Sequence, residues 1–442
     1  MNIQKRFLLS LIISITFLGS LLAQQGNVGV DSPYGRYGYG ILSNPSLGAT
    51  ESMGGISYGI RRGTNVNPGN PASYSAADTL NFTMEMGVSG QYSKLSVAGE
   101  NQTFKNGNFD YLAFQFPVFK KVGVSVGLLP YSKVGYDFGR DVLSDEISHR
   151  ETFSGSGGLS RIYGGVAYAP FKQFSVGANL SYLFGTIDHT SDIPGIGIVG
   201  AENRLIRNSF TIKNVMVDLG AQFTHAIDQR RSMTLGVVYT PGVKNTATVE
   251  RIDYNYTSSE IKPRSVDSLF NQDFDLPSTF GVGLSYSSVN WLVGIDGTFQ
   301  KWSKSKYPDE LDEMTLDTRF NDRYSIALGG EYVADPVNRN FFKRVRLRGG
   351  LSYSNSYINT HVNDPNNIEK SLGSHGYKEY GVNIGFGLPF RDMISGKISM
   401  LNLGFGYSIM DPEHKFMIKE EMFKVSVNIN INEFWFFKRE FD

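Results

Sequence analysis

The chain has 442 residues, with 42 basic and 42 acidic side chains, 49 Gly, 24 Tyr, 31 Phe and no Cys. The cancelling charge excludes a strongly basic nucleic-acid binder, and the missing Cys excludes a disulfide framework and a lipid-modified cysteine anchor. Mean hydropathy is −0.21, and beyond residue 23 no window of about 20 apolar residues occurs, so a helical membrane protein is excluded as well.

Lys5 and Arg6 precede a mostly apolar stretch from Phe7 to Leu22, closed by the small Ala23 before Gln24-Gln25. That layout predicts a cleaved secretory signal over 1–23, too short for a spanning anchor. Residues 24–80 are rich in turn-formers, with Met53-Gly54-Gly55 and Asn70-Pro71-Ala72 among them. Interspersed Tyr, Met and Ile argue for a compact plug in this stretch and against a floppy periplasmic tail.

From residue 81 the pattern changes to period-2 alternation. Phe82, Met84, Met86, Val88, Gly90 and Tyr92 alternate with small or polar residues, and so do Phe174 to Phe184 and Phe423 to Ile431. Successive strand residues face opposite sides, so each run has one apolar and one polar face. A soluble sandwich alternates too. Here the runs reach about 10 or more residues, the length a tilted strand needs to cross a bilayer, and aromatics gather at their ends. Export and closure complete the argument, because only a closed barrel pairs every backbone group inside a membrane. The reading is all-β, a 14-stranded antiparallel transmembrane β-barrel over 81–432, with a short periplasmic tail at 433–442.

The expected strands are 81–93, 109–118, 121–132, 159–169, 173–187, 210–225, 231–246, 275–288, 290–302, 320–333, 344–357, 376–388, 397–409 and 421–432. Short connections alternate with long ones, and short turns belong on the periplasmic side. Both termini therefore lie in the periplasm, and the expected location is the outer membrane of a Gram-negative bacterium.

Several stretches carry a family resemblance. Leu47-Gly48-Ala49 to Met53-Gly54-Gly55, with Asn70-Pro71-Ala72 before the first strand, resembles the hatch region of the FadL/TodX (OmpP1) outer-membrane transporters. Leu276 to Gly283 followed by Trp302-Ser303, Asp322-Arg323-Tyr324 running into Gly329-Gly330-Glu331-Tyr332, and Arg348 to Tyr353 are similar to that family's later strands. The resemblance implies a 14-strand barrel with an N-terminal hatch, carrying fatty acids or hydrocarbons inward. It also implies a kinked third strand with a lateral exit, placed here at Gly127, Leu128 and Pro130. Proline cannot donate a ladder hydrogen bond, so Pro130 marks a kink or bulge, or else merely a strand end. One departure concerns the third and fourth outer loops. They hold one modest apolar run, Ile193 to Val199, and an otherwise polar stretch at 247–274.

By parity, Asp296, Glu331, Arg346, Arg348 and Asn383 face the lumen, because a charge facing lipid costs about 2–4 kcal/mol at the midplane. Arg346 and Arg348 are expected to help hold the hatch. Catalytic patterns fail on context. Gly55 to Gly59 and Gly123 to Gly127 spell G-x-S-x-G without the strand–turn–helix an elbow requires. Gly195 to Gly200 spells G-x-G-x-x-G with no following helix. The six His are scattered without metal spacing. No enzyme, cofactor or metal is expected, and no nucleic acid. Expected partners are outer-membrane lipid and lipopolysaccharide, a small hydrophobic ligand and, in one reading, outer-membrane proteins. The leading expectation is passive uptake of a small hydrophobic molecule with lateral release. The alternative is a non-transporting barrel subunit that binds proteins of a secretion or assembly machine. What separates them is whether the outer loops form an apolar groove leading to the hatch.

Overall fold

The computed structural model describes residues 32–434 apart from 98, 143–148, 196–201, 258–259, 308–318, 365–366 and 392–395. The expected signal segment, most of the run Ile193 to Val199 and nearly all of the expected tail lie outside the described residues.

Fourteen antiparallel strands form the barrel: β1 Asn81–Val97, β2 Glu100–Phe119, β3 Val122–Val142, β4 His149–Tyr168, β5 Phe174–Ile193, β6 Asn203–Ala226, β7 Ser232–Thr240, β8 Thr279–Ser287, β9 Trp291–Gln300, β10 Arg323–Val333, β11 Arg346–Asn355, β12 Tyr377–Arg391, β13 Ile398–Pro412 and β14 Lys419–Phe434. Each pairs with its sequence neighbours, and β1 closes the ring on β14 from Asn81↔Phe434 to Ser96↔Lys419. Alternation becomes geometry in β9, where Trp291, Val293 and Ile295 point outward and Leu292, Gly294 and Asp296 are buried inside. No helix among the described residues is long and apolar enough to cross a membrane.

Strand bounds depart from the sequence reading at the outer ends. β2 starts at Glu100 instead of 109, β3 runs on to Val142, β4 begins at His149 instead of 159, and β6 begins at Asn203 instead of 210. These extensions stand above the bilayer, where no lipid imposes an apolar outer face, so polar stretches there read as loop. The β3 and β4 extensions put Val134, Tyr136 and Phe153 into a buried core that also holds Ile187, Phe210 and Ile212, whereas the β2 extension is exposed along most of its length. The expected strand 231–246 ends at Thr240, and Thr246–Tyr256 is a separate outer strand pairing with upper β6 and with Ile261–Asp273. A second outer hairpin joins Ile358–Asp364 to Asn367–His375. At the other end β14 reaches Phe434, two residues into the expected tail.

One stretch of the wall is incomplete. The β2–β3 ladder runs from Phe119↔Val122 to Leu112↔Leu128 and goes no further. Above it β2 pairs with β1 and β3 with β4. A register shift between Pro130 and Ser132 lets β3 bend away, and a second one leaves Asp110 of β2 unpaired opposite Gly87–Val88. Missing N–H groups and bulges are what bend strands in this way. The free edge of β3 pairs with the N-terminal segment, Ile41↔Lys133 and Leu42↔Ser132, and Ser43 N–H donates to the Tyr131 carbonyl at 2.9 Å.

Candidate functional site: the lumen and the β2–β3 seam

Residues 32–76 pack against inward-facing wall residues from most of the ring. At the outer end Ser32 N–H donates to the Gly135 carbonyl at 2.8 Å, and its hydroxyl donates to Glu420 at 2.6 Å. Further along, Met53-Gly54-Gly55 reaches the wall where β10 and β11 carry glycines. A Cβ on Gly329 would lie 2.0 Å from the Met53 carbonyl oxygen, and one on Gly350 would lie 2.2 Å from the Gly54 nitrogen. Gly54 and Gly55 themselves hold φ of +73° and +92°, a region side chains disfavour. The two glycine stretches that carried the family resemblance are therefore contact partners.

Asn70, Pro71 and Ala72 dock in the same manner on β5 and β6. Asn70 Nδ2 donates to the Tyr58 and Ala221 carbonyls and its Oδ1 accepts from Ala72 N–H, while Gly177 and Gly220 leave room for Pro71. Tyr74 follows in a short 3-10 turn, its hydroxyl donating to Asn179 at 2.9 Å.

Three wall carboxylates hold the segment. Asp296 accepts from the Ser57 and Tyr58 N–H groups at 2.5 and 2.8 Å. Glu85 accepts from Val66 N–H at 3.0 Å and from the Asn65 and Asn430 amides. Glu331, 2% exposed, accepts from Arg62 at 2.7 Å, from Arg348 at 2.7 Å and from Arg346. Arg348 also donates to Asn402 at 2.7 Å. Arg346 and Arg348 thus reach the segment only through Glu331. Asn383 faces inward, half-buried beside Gly406.

Sequence reasoning missed Glu85 and Arg62, although Glu85 sits at an inward position of a strand whose parity was legible. It also missed the seam cluster. Asp110 accepts from Ser89 at 2.9 Å and lies 3.9 Å from Lys133 across the seam and 3.5 Å from Lys424, which pairs with Glu51 of the segment at 2.6 Å. Gly127 and Leu128 sit in the last pairs of the ladder, Ala113↔Gly127 and Leu112↔Leu128, and Pro130 stands just above them.

At the outer mouth the described residues include a packed aromatic cluster. Tyr39 and Trp302 are fully buried, and the Tyr39 ring meets Phe274 at 4.3 Å and Trp302 at 5.1 Å between centroids. Trp302 in turn meets Tyr357 at 4.5 Å. Tyr357 accepts from Tyr39 N–H at 3.0 Å and donates to the Gly40 carbonyl at 2.6 Å. Beneath this cluster and above the Gly54–Tyr58 stretch lies a cavity of about 250 Å³ whose lining includes Pro130, Tyr131, Arg161, Asp218, Arg323 and Glu379. Arg161 is 3.2 Å from Asp218, and Arg323 is 3.8 Å from Glu379.

Two of the three catalytic patterns fall on described structure, and Gly195 to Gly200 lies almost wholly outside the described residues. Ser125 lies in β3, its hydroxyl donating to the Phe114 carbonyl and sharing a 2.8 Å bond with Tyr163. Ser57 lies in the docked segment. The His375 and His414 rings come within 5.0 Å, a proximity their sequence spacing hides. No group of three metal-ligating side chains occurs among the described residues.

A family model described as BamG matches residues 3–442. The chain belongs to the BamG family. Its BamG barrel has the fold of solved outer-membrane transporters. The toluene transporter TodX of P. putida is 14% identical and superposes with a TM-score of 0.59, over 90% of this chain and 100% of that one. A FadL homologue from Pseudomonas aeruginosa is 13% identical with a TM-score of 0.58, covering 89% and 99%. CymD, a monoaromatic hydrocarbon channel, is 13% identical with a TM-score of 0.57, covering 88% and 98%. Among the curated proteins no match is found for this BamG chain.

Proposed function

We propose that this BamG-family barrel is a closed, partner-binding subunit of an outer-membrane secretion or assembly machine, and that its N-terminal segment is a fixed hatch. The observation that carries this reading is the outer mouth. A hydrophobic ligand needs a mostly apolar concave path. Here Tyr39, Phe274, Trp302 and Tyr357 are spent on one another, and the space beneath them sets charged side chains, among them Arg161, Asp218, Arg323 and Glu379, between apolar ones such as Met216, Val238 and Ile326. Moving an apolar molecule past the charged groups would strip water from them with nothing in return. The buried Glu331 cluster and the wall glycines further support a hatch that stays in place.

A second reading has its own observation. The seam where the β2–β3 ladder stops, at Leu128 and Pro130, supports passive uptake of a small hydrophobic molecule with lateral release into the bilayer. The likeness to hydrocarbon channels supports it as well. Both readings are non-enzymatic. Native mass spectrometry on the barrel extracted from its own membrane separates them. A stoichiometric protein partner with an empty lumen supports the subunit, and a retained hydrophobic molecule without a partner overturns it in favour of transport.

A further inference from the structure

Three neighbouring periplasmic turns form a platform that barrel closure does not need. They follow β6 (residues 227–231), β8 (288–290) and β10 (334–345). The last is the long one. Its Val337 and Phe342 are 87% and 81% exposed, the two most exposed large apolar side chains among the described residues, with Ile227 and Val289 of the adjoining turns also out in solvent.

The long turn is ordered. Asp335 accepts from Val337 N–H at 3.1 Å and from the Asn338 amide at 2.9 Å, and Asp335 N–H donates to the Lys343 carbonyl at 2.9 Å. Asn340 caps the single helical turn Phe341–Arg344 by accepting from Phe342 N–H. Asn290 laces the neighbouring turn to it, donating to the Val333 and Ala334 carbonyls at 2.9 and 2.8 Å. A preorganised apolar display of this kind costs little further ordering when a partner covers it.

Charge specifies the partner. The acidic groups of these turns are consumed internally, Asp335 as above and Asp228 on Arg231 at 2.6 Å. Arg230 and Arg339 make no ion pair among the described residues, while Lys343 acts on Asp335 from beyond contact distance and Arg344 lies over the Phe341 ring at 5.9 Å. Nor is the long turn placed like the rest of the periplasmic rim. Phe119 and Phe171 adjoin the strand ends and are flanked by Lys120, Lys121 and Lys172, the pattern of side chains anchoring at a leaflet. Val337 lies four residues beyond the end of β10 and stands clear of that pattern, whereas Phe342, Lys343 and Arg344 lie two to four residues before β11.

We infer that the platform of Val337, Phe342, Lys343 and Arg344 is the periplasmic docking face for a different protein, one that presents an acidic segment around an apolar pocket. This inference rests on the subunit reading. Its test places a photoreactive benzophenone side chain at 337 or 342 in the full-length barrel in living cells. The expected result is a covalent adduct to one other protein through an acidic peptide. K343E/R344E should lower the adduct yield at least tenfold while the barrel keeps its heat-modifiable migration. Adducts to phospholipid, adducts to a second copy, a yield indifferent to charge reversal, or no adduct would each overturn the assignment. If native mass spectrometry still finds a stoichiometric partner in that case, the subunit reading stands and only the platform falls.

Discussion

Arg62 donates to Glu331 across 2.7 Å, tying the N-terminal segment to a wall carboxylate that two wall arginines also share. Removing the anion alone strands three guanidiniums around one buried point. Glu331→Gln should therefore destabilise the packed segment by about 3–5 kcal/mol, the cost of breaking a buried ion pair from one side. Trypsin cleavage after Arg61 or Arg62 in the otherwise intact barrel reports it, and unchanged resistance would show that the cluster does not hold the segment.

The wall glycines give a steric prediction. Gly329→Ala puts a methyl group 2.0 Å from the Met53 carbonyl oxygen. Overpacking of this kind costs about 1–3 kcal/mol. Single-channel conductance should rise as the segment is displaced. Gly297→Ala, whose Cβ meets nothing within 4 Å, should leave conductance at the parental level.

The chain has no Cys, so an engineered pair reports cleanly. Leu42 and Ser132 are register partners, and Leu42→Cys with Ser132→Cys should oxidise spontaneously once the barrel is folded. Gel mobility with and without reductant measures this. The locked barrel should still complement a deletion if the barrel is a closed subunit. Loss of complementation that reductant restores would mean the seam must open.

The long periplasmic turn has an acid limit. Hydrogen bonds from the Asn338 amide and Val337 N–H hold the Asp335 carboxyl below its ordinary value. A depressed carboxylate stabilises the fold above its unfolded pKa of about 3.9 and loses that contribution as pH falls through the lower folded value. Exchange protection of the Val337 and Asn338 amides should hold at neutral pH and fade only below about pH 4. Asp335→Ala should lack the protection at every pH.

The transmembrane part of the fold was legible because lipid enforces one apolar face, so Phe82 to Tyr92 or Phe423 to Ile431 could be read by parity alone. Above the membrane that constraint lapses. Residues 100–108 and 149–158 carry strand without the signal: the first stretch is mostly exposed, and the second shows itself only through Phe153, packed in a core that also holds Phe210. Pro130 marked the bend in β3, since a missing donor is visible in sequence. Asp110, the bulge on the opposite edge, was not marked, because an extra residue in a ladder has no composition of its own. The inward parity of Asp296 and Glu331 was legible, but their partners Ser57, Tyr58 and Arg62 lie more than 230 residues away and follow no local pattern.

Ser32 reaches Glu420, 388 residues on, at the outer end of the barrel, whereas the same segment joins β1 at the periplasmic end at Asn81. Between these points its backbone meets wall glycines at distances that leave no room for sliding. A finished ring could not be threaded in that way. The order of assembly follows: residues 32–76 must already lie between the edges of the growing sheet when β14 pairs with β1. Ring closure is therefore also the moment of enclosure, and a lesion that delays the segment's packing should appear first as a barrel that fails to seal and only afterwards as one that is unstable.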